Sequence, residues 1–143
     1  MTSRCIWMPE VRAVLAQLTG AVTVADVAAW IVELDATLAR IPDGTAIVLL
    51  SDLHGYEPAD LDAHRAMRTV IPTRLAAMGF RTALADAVGV DLIASPSPRV
   101  RCERVAHVHH DAAKMTSYES AHATPQERFF TSAAFANEWL LFD

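Results

Sequence analysis

Apolar residues recur along the chain with two periods, and the switches between them divide it into elements. Residues 4–8 and 11–18 flank Pro9-Glu10 and read as two short strands joined by a tight turn. Thr19-Gly20-Ala21-Val22 leads into Thr23, and Asp26 three residues later completes an approximate capping box that predicts a helix start. Val27, Trp30, Ile31, Leu34, Leu38 and Ile41 then recur at steps of three and four, which is the buried stripe of an amphipathic helix. Pro42-Asp43-Gly44 ends it. Residues 45–50 are continuously apolar and rich in β-branched side chains, as expected of a parallel strand covered on both faces.

Asp60 predicts the cap of a second helix, with Leu61, His64, Met67, Ile71, Leu75 and Met78 on its buried face, a kink at Pro72 and a stop at Gly79. Residues 80–103 are irregular: 82–88 suit a short helix, Gly89 breaks it, and Ser95-Pro96-Ser97-Pro98 is a loop. Residues 104–109 read as the next central strand, 112–121 as a helix capped by Asp111, and 127–130 as a short strand. A terminal helix follows, started by Thr131 or Ser132, with Phe135, Trp139 and Leu140 on its buried side. The alternation predicts an α/β fold: a single mixed, mostly parallel sheet of about five strands with helices packed on it. One domain spans residues 1–143, with an irregular insertion at about 80–103.

Composition narrows the function classes. The chain has 143 residues, 52% of them hydrophobic, enough for a core that needs neither a metal nor a disulfide to hold it. Cys5 and Cys102 are far apart with no C-x-x-C spacing, which suits a reduced, cytoplasmic protein. The first residues form too short an apolar run for a signal peptide, and no stretch approaches the ~20 apolar residues of a membrane span. Net charge is −5 and Lys114 is the only lysine among twelve basic residues, so nucleic acid is not an expected partner.

Three passages carry a family resemblance. Leu18-Thr19-Gly20 before Val22-Thr23-Val24-Ala25-Asp26-Val27 is similar to the strand, glycine turn and T-x-x-D helix entry of the SpoIIAA-like branch of the STAS domain group. Ile47-Val48-Leu49-Leu50-Ser51-Asp52-Leu53 is similar to that family's LL-x-D-L strand end. Arg128-Phe129-Phe130-Thr131-Ser132 with Ala136-Asn137-Glu138-Trp139-Leu140 looks like its last strand and A-x-x-W-L helix. The resemblance implies an architecture shared with CRAL-TRIO-like lipid-binding proteins. It covers most of the chain except residues 80–103. Regulatory members that act on anti-sigma factors carry a phosphorylatable Ser at the helix start after this strand; Glu57-Pro58-Ala59-Asp60-Leu61 has neither Ser nor Thr, which argues against a phosphoswitch.

His107-Val108-His109-His110-Asp111 is the most unusual local sequence. Strand periodicity puts His107 and His109 on one face with Cα atoms about 7 Å apart, close enough for both rings to reach one metal. Imidazole and carboxylate suit zinc or iron, so His107, His109 and Asp111 are the metal candidates. The run resembles the start of the H-x-H-x-D-H motif of metallo-β-lactamases, but Ala112 stands at the final His. The structural alternative is a sheet-packed His107, with His109, His110 and Asp111 decorating the loop and helix start. A third arrangement gathers Ser51, Asp52, His54, His109, His110 and Asp111 around one crevice at the carboxyl ends of neighbouring strands, with Asp52 and a histidine as an acid/base pair. Asp52 as a cap for the turn at Gly55 is its plainer role, and His64 as a core histidine is likewise plainer than His64 in a pocket.

The expected function is therefore a non-catalytic regulatory or binding module, without a cofactor, for a small apolar or amphipathic ligand or a protein partner. It predicts a cavity lined by Leu61, His64, Met67, Ile71 and Met115, with Asp52, His54, His64, Arg68, His109, His110 and Asp111 as candidate binding residues. Arg65, Arg68, Arg74 and Arg81 concentrate positive charge that suits an anionic head group. The apolar run Val90-Asp91-Leu92-Ile93-Ala94 suggests a cover for that pocket or for a second copy in a homodimer. The alternative function is a small metal-assisted hydrolase built on His107, His109, His110 and Asp111, with zinc or iron as its metal.

Overall fold

In the computed structural model, which describes residues 1–142, Pro9 and Arg12 close the first turn: the Arg12 N–H donates to the Pro9 carbonyl and Arg12 takes a left-handed φ of 50°. That turn joins β1 (Thr2–Met8) to β2 (Ala13–Val22) as an antiparallel hairpin pairing Thr2 with Thr19 and Met8 with Ala13. Thr23 then stops the strand and starts α1 (Val24–Ala39): its hydroxyl accepts from Asp26 N–H while the Asp26 carboxylate accepts from Thr23 N–H, the predicted capping box. Val27, Trp30 and Leu34 bury the predicted stripe of α1.

β3 (Ala46–Leu53) runs parallel to β2, and after a turn at Gly55 the three-residue β4 (Tyr56–Pro58) pairs with the far end of β2, Gly20 opposite Tyr56. α2 (Leu61–Met67), capped by Asp60 as expected, and α3 (Val70–Ala77) replace the single kinked helix read from the sequence. The chain breaks at Arg68-Thr69 because Pro72, four residues on, has no N–H for the Arg68 carbonyl and its ring crowds that position. Leu61, expected on the buried face, is 59% exposed.

α4 (Ala83–Val88), capped by Thr82 and ended by Gly89 at φ 74°, is the short helix expected within residues 80–103, and β5 (Arg101–His109) begins inside that segment, before the expected start at 104. Val100 and Cys102 are buried, so the end of that segment belongs to the core, while Ile93 is 91% exposed. α5 (Ala112–His122), β6 (Glu127–Phe130) and α6 (Ala133–Phe142) complete the chain, with Asp111 capping α5 through Lys114 N–H. Phe135, expected on the buried side of α6, is 68% exposed, whereas Leu140 is buried as expected and Ala136 faces inward with it.

The sheet has six strands in the order β1-β2-β3-β5-β6, with β4 off this path on β2, and only the β1–β2 pair is antiparallel. The α/β fold with a mixed, mostly parallel sheet is the one expected. From β2 onward the strand order advances in one direction, so right-handed crossovers place α1, α2 to α4 and α5 on one face and leave the other for α6. Two apolar clusters follow from this. One joins Leu18, Trp30, Leu34, Leu49, Leu75 and Val105 under the crossover helices; the other joins Leu50, Ala106, Val108, Ala136 and Leu140 under α6.

Candidate functional site

Alternation along β3 and β5 decides which polar side chains meet. Ser51 pairs with His107 and Leu53 with His109 across the two strands, and these four line one cavity. Leu50, Ala106 and Val108 lie on the other face against α6, and Asp52, one residue from Ser51, shares that side.

The cavity has a volume of about 300 Å³ and lies between the sheet and the crossover helices, at the carboxyl ends of β3 and β5. Met67, Ile71, Pro72, Leu84, Val88, Met115, Tyr118 and Phe129 supply its apolar wall. Its inner end is formed by the buried residues Ser51, Tyr56 and His107, and its outer end by the exposed His64 and Arg68 with the half-buried Lys114 and His109.

His107 is 6% exposed, stacked on Phe129 with ring centroids 4.9 Å apart, and its Nε2 lies 2.7 Å from Oε2 of Glu127. Glu127, 1% exposed, also accepts from the Thr82 hydroxyl at 2.6 Å and from Ala83 N–H at 2.7 Å. Burial alone would push this carboxyl up, but the hydrogen bond and charge of His107, with Thr82 and Ala83, outweigh it and hold the group below its ordinary value. A buried carboxylate with this many donors stays ionised and fixes the ring beside it.

Tyr56 is held in the cavity wall by β4. Its hydroxyl is sealed off without a hydrogen-bond partner, and burial, aided by the Glu57 charge, raises its pKa to about 12. It is a neutral phenol at any working pH.

His109 is a neutral imidazole, its pKa lowered to about 4 chiefly by burial and then by the charges of Lys114 and His110. Its Nδ1 accepts the Asp111 N–H at 3.0 Å, and its ring stacks on that of His110 with centroids 4.3 Å apart. His110 accepts the Gly55 N–H on Nδ1 at 2.9 Å and meets Glu57 through Nε2 at 3.2 Å, and its ring packs edge-on to His54. The strand ends of β3 and β5 are thus neighbours, as the crevice arrangement required.

Asp52 accepts from Gln17 Nε2 at 2.9 Å and from His54 N–H at 3.0 Å, so it caps the turn after β3, at His54 and not at Gly55. Asp52, His54, His110 and Asp111 are outside the cavity lining; His64, Arg68 and His109 are within it. His64 is exposed at the mouth and is not a core histidine. The metal candidates do not converge: His107 binds Glu127, His109 binds a backbone N–H, and Asp111 caps α5. Among the described residues no group of three or more His, Cys, Asp or Glu is arranged to hold a metal ion. Met67, Ile71 and Met115 line the cavity as expected, while Leu61 does not.

Glu127, Tyr56 and Lys114 were not singled out from the sequence. Glu127 had a legible signal, since period-2 geometry puts it on the same face of β6 as the buried Phe129. Tyr56 had none, because its place depends on β4 pairing with β2.

No protein-family model matches the chain, and no curated protein matches it either. No helix among the described residues is long and apolar enough to cross a membrane.

Proposed function

We propose that the protein is a binding module of the SpoIIAA-like STAS type that holds a small amphipathic anion in the cavity between its sheet and crossover helices. The observation that carries this reading is the gradient along the cavity wall. Arg68 and Lys114 stand at the open end, neither within salt-bridge distance of a carboxylate among the described residues, and the walls inward of them are methionine, leucine, valine and aromatic side chains. Two uncompensated cations over an apolar well suit a carboxylate at the mouth and a hydrocarbon body within. A mixed, mostly parallel sheet with helices packed on it suits the resemblance to the SpoIIAA-like branch, whose architecture is shared with CRAL-TRIO-like lipid-binding proteins. The absence of Ser or Thr between Glu57 and Leu61 supports ligand binding over phosphorylation as the means of regulation.

Octanoate is the probe. Calorimetric titration is expected to show one saturable site that Met115→Trp blocks by filling the cavity and that Arg68→Ala with Lys114→Ala weakens about tenfold. Absence of saturable binding, or binding indifferent to both changes, overturns the reading. Native mass spectrometry of freshly purified, untagged protein is expected to show an adduct of a few hundred daltons.

A further inference from the structure

The inner end of the cavity is polar in a way that an unsubstituted hydrocarbon tail would leave unsatisfied. Nε2 of His107 is engaged by Glu127, and its Nδ1 has no hydrogen-bond partner among the described residues. The side-chain polar atoms fully sealed without a partner among the described residues are Trp30 Nε1 and Tyr56 Oη. Nδ1 of His107 therefore retains contact with open space, and for a residue only 6% exposed and part of the lining, that space is the cavity.

Building on the binding reading above, we propose that His107 is the specificity-determining residue of the cavity, and that the favoured ligand is an amphipathic carboxylate carrying a hydroxyl group at the far end of its apolar body. The argument rests on which ring nitrogen carries the proton. Glu127 is an acceptor also met by the Thr82 hydroxyl and the Ala83 N–H, so the neutral form of the ring carries its one proton on Nε2, facing the carboxylate. Nδ1 then presents a lone pair to the ligand. A hydroxyl donates to it; a ketone or a second carboxylate sets acceptor against acceptor, and a methyl group leaves the lone pair buried and unmet. Ser51, the register partner of His107, adds a hydroxyl that can turn toward the same ligand group.

Glu127→Gln tests the chain of protons. Oε1 must remain an oxygen because the Ala83 N–H donates to it, so the new amide nitrogen takes the Oε2 position facing His107. That nitrogen donates to Nε2, and the ring proton moves to Nδ1. The probes are octanoate, 7-hydroxyoctanoate and 7-oxooctanoate, titrated at pH 8, the last two matching in heavy atoms.

The wild type is expected to bind the alcohol roughly tenfold more tightly than the ketone. Ser51→Ala, which removes the hydroxyl able to serve a ketone, widens that ratio, and Glu127→Gln collapses it to about one. The ¹⁵N spectrum of His107 in the free wild-type protein should show a bare Nδ1 at pH 8. Equal binding of alcohol and ketone by the wild type, or a protonated Nδ1, overturns the inference while octanoate binding leaves the cavity reading standing. Failure of all three acids to bind overturns both. The wild-type ratio and spectrum decide the matter if the Gln variant does not fold.

Discussion

Oε2 of Glu127 lies 2.7 Å from Nε2 of His107, and through that carboxylate β5, β6 and the start of α4 share one buried anion. Replacing Glu127 with Leu strands the buried Thr82 and His107 donors and the part-buried Ala83 N–H at once, and is expected to destabilise the fold by about 3–5 kcal/mol. Glu127→Gln keeps an acceptor for Ala83 and a donor for His107 and should cost only about 1–2 kcal/mol. Urea unfolding of the two variants measures the difference; equal losses would show that the carboxylate's bonds contribute little beyond its packing.

Acid should destabilise the fold through His109. Its ring stays neutral in the folded protein down to about pH 4, whereas the ordinary value is 6.5. As pH falls from 6.5 toward 4 the unfolded chain takes up a proton that the folded chain refuses, so stability present above 6.5 drains away and the loss is complete below about 4. The ring is only half-buried, so the loss is a fraction of the full linkage value. His109→Gln should make urea midpoints between pH 7 and pH 4.5 fall less than those of the wild type. Parallel declines would exclude His109 as the source. Glu127, held below its ordinary value, adds a separate loss at lower pH in both proteins.

Two glycines with nearly the same backbone angle separate strain from collision. Gly79 and Gly89 have φ of +72° and +74°, but a Cβ on Gly79 would sit 2.9 Å from Pro98 Cγ and 3.3 Å from the Ser95 carbonyl, whereas one on Gly89 meets nothing within 4 Å. Gly89→Ala should cost about 1–2 kcal/mol, the left-handed penalty alone. Gly79→Ala should cost about 1–3 kcal/mol more. Thermal or urea melts giving equal costs would mean that the 95–98 loop moves aside freely.

Pro72 holds the break that separates α2 from α3 and lies in the cavity wall beside Arg68. In Pro72→Ala the Arg68 carbonyl gains an N–H four residues on, and the two helices should join. Hydrogen exchange is expected to show that the new amide at position 72 is protected, and octanoate affinity should fall as Arg68 turns with the continuous helix. An unprotected amide would place the cause of the break in tertiary packing.

Local sequence determined the elements whose signals lie within a few residues of one another. The Thr23–Asp26 box, the Asp60 and Asp111 caps, the stop at Gly89 and the apolar run of β3 each depend on neighbours in the chain, and each stands where it was expected. The alternation of those elements also determined the α/β class, because parallel strands demand crossovers and crossovers demand helices. Leu61 and Phe135 departed from their patterns because the period fixes the spacing of an apolar stripe, while the docking of the helix on its neighbours decides which stripe is buried.

The site was legible only in parts. His64, Arg68, Met67, Ile71 and Met115 could be read as a pocket wall from one helical face and one later helix, yet the partner of His107 lies twenty residues away on another strand. Whether His107, His109 and Asp111 meet a metal, each other or separate partners depends on strand register, and register here is set by apolar packing on both faces of the sheet. One residue of offset put Ser51 in the cavity and Asp52 behind the sheet. The sequence supplied the polar groups; only the tertiary structure, by pairing β3, β5 and β6 in one register, decided which of them face a ligand.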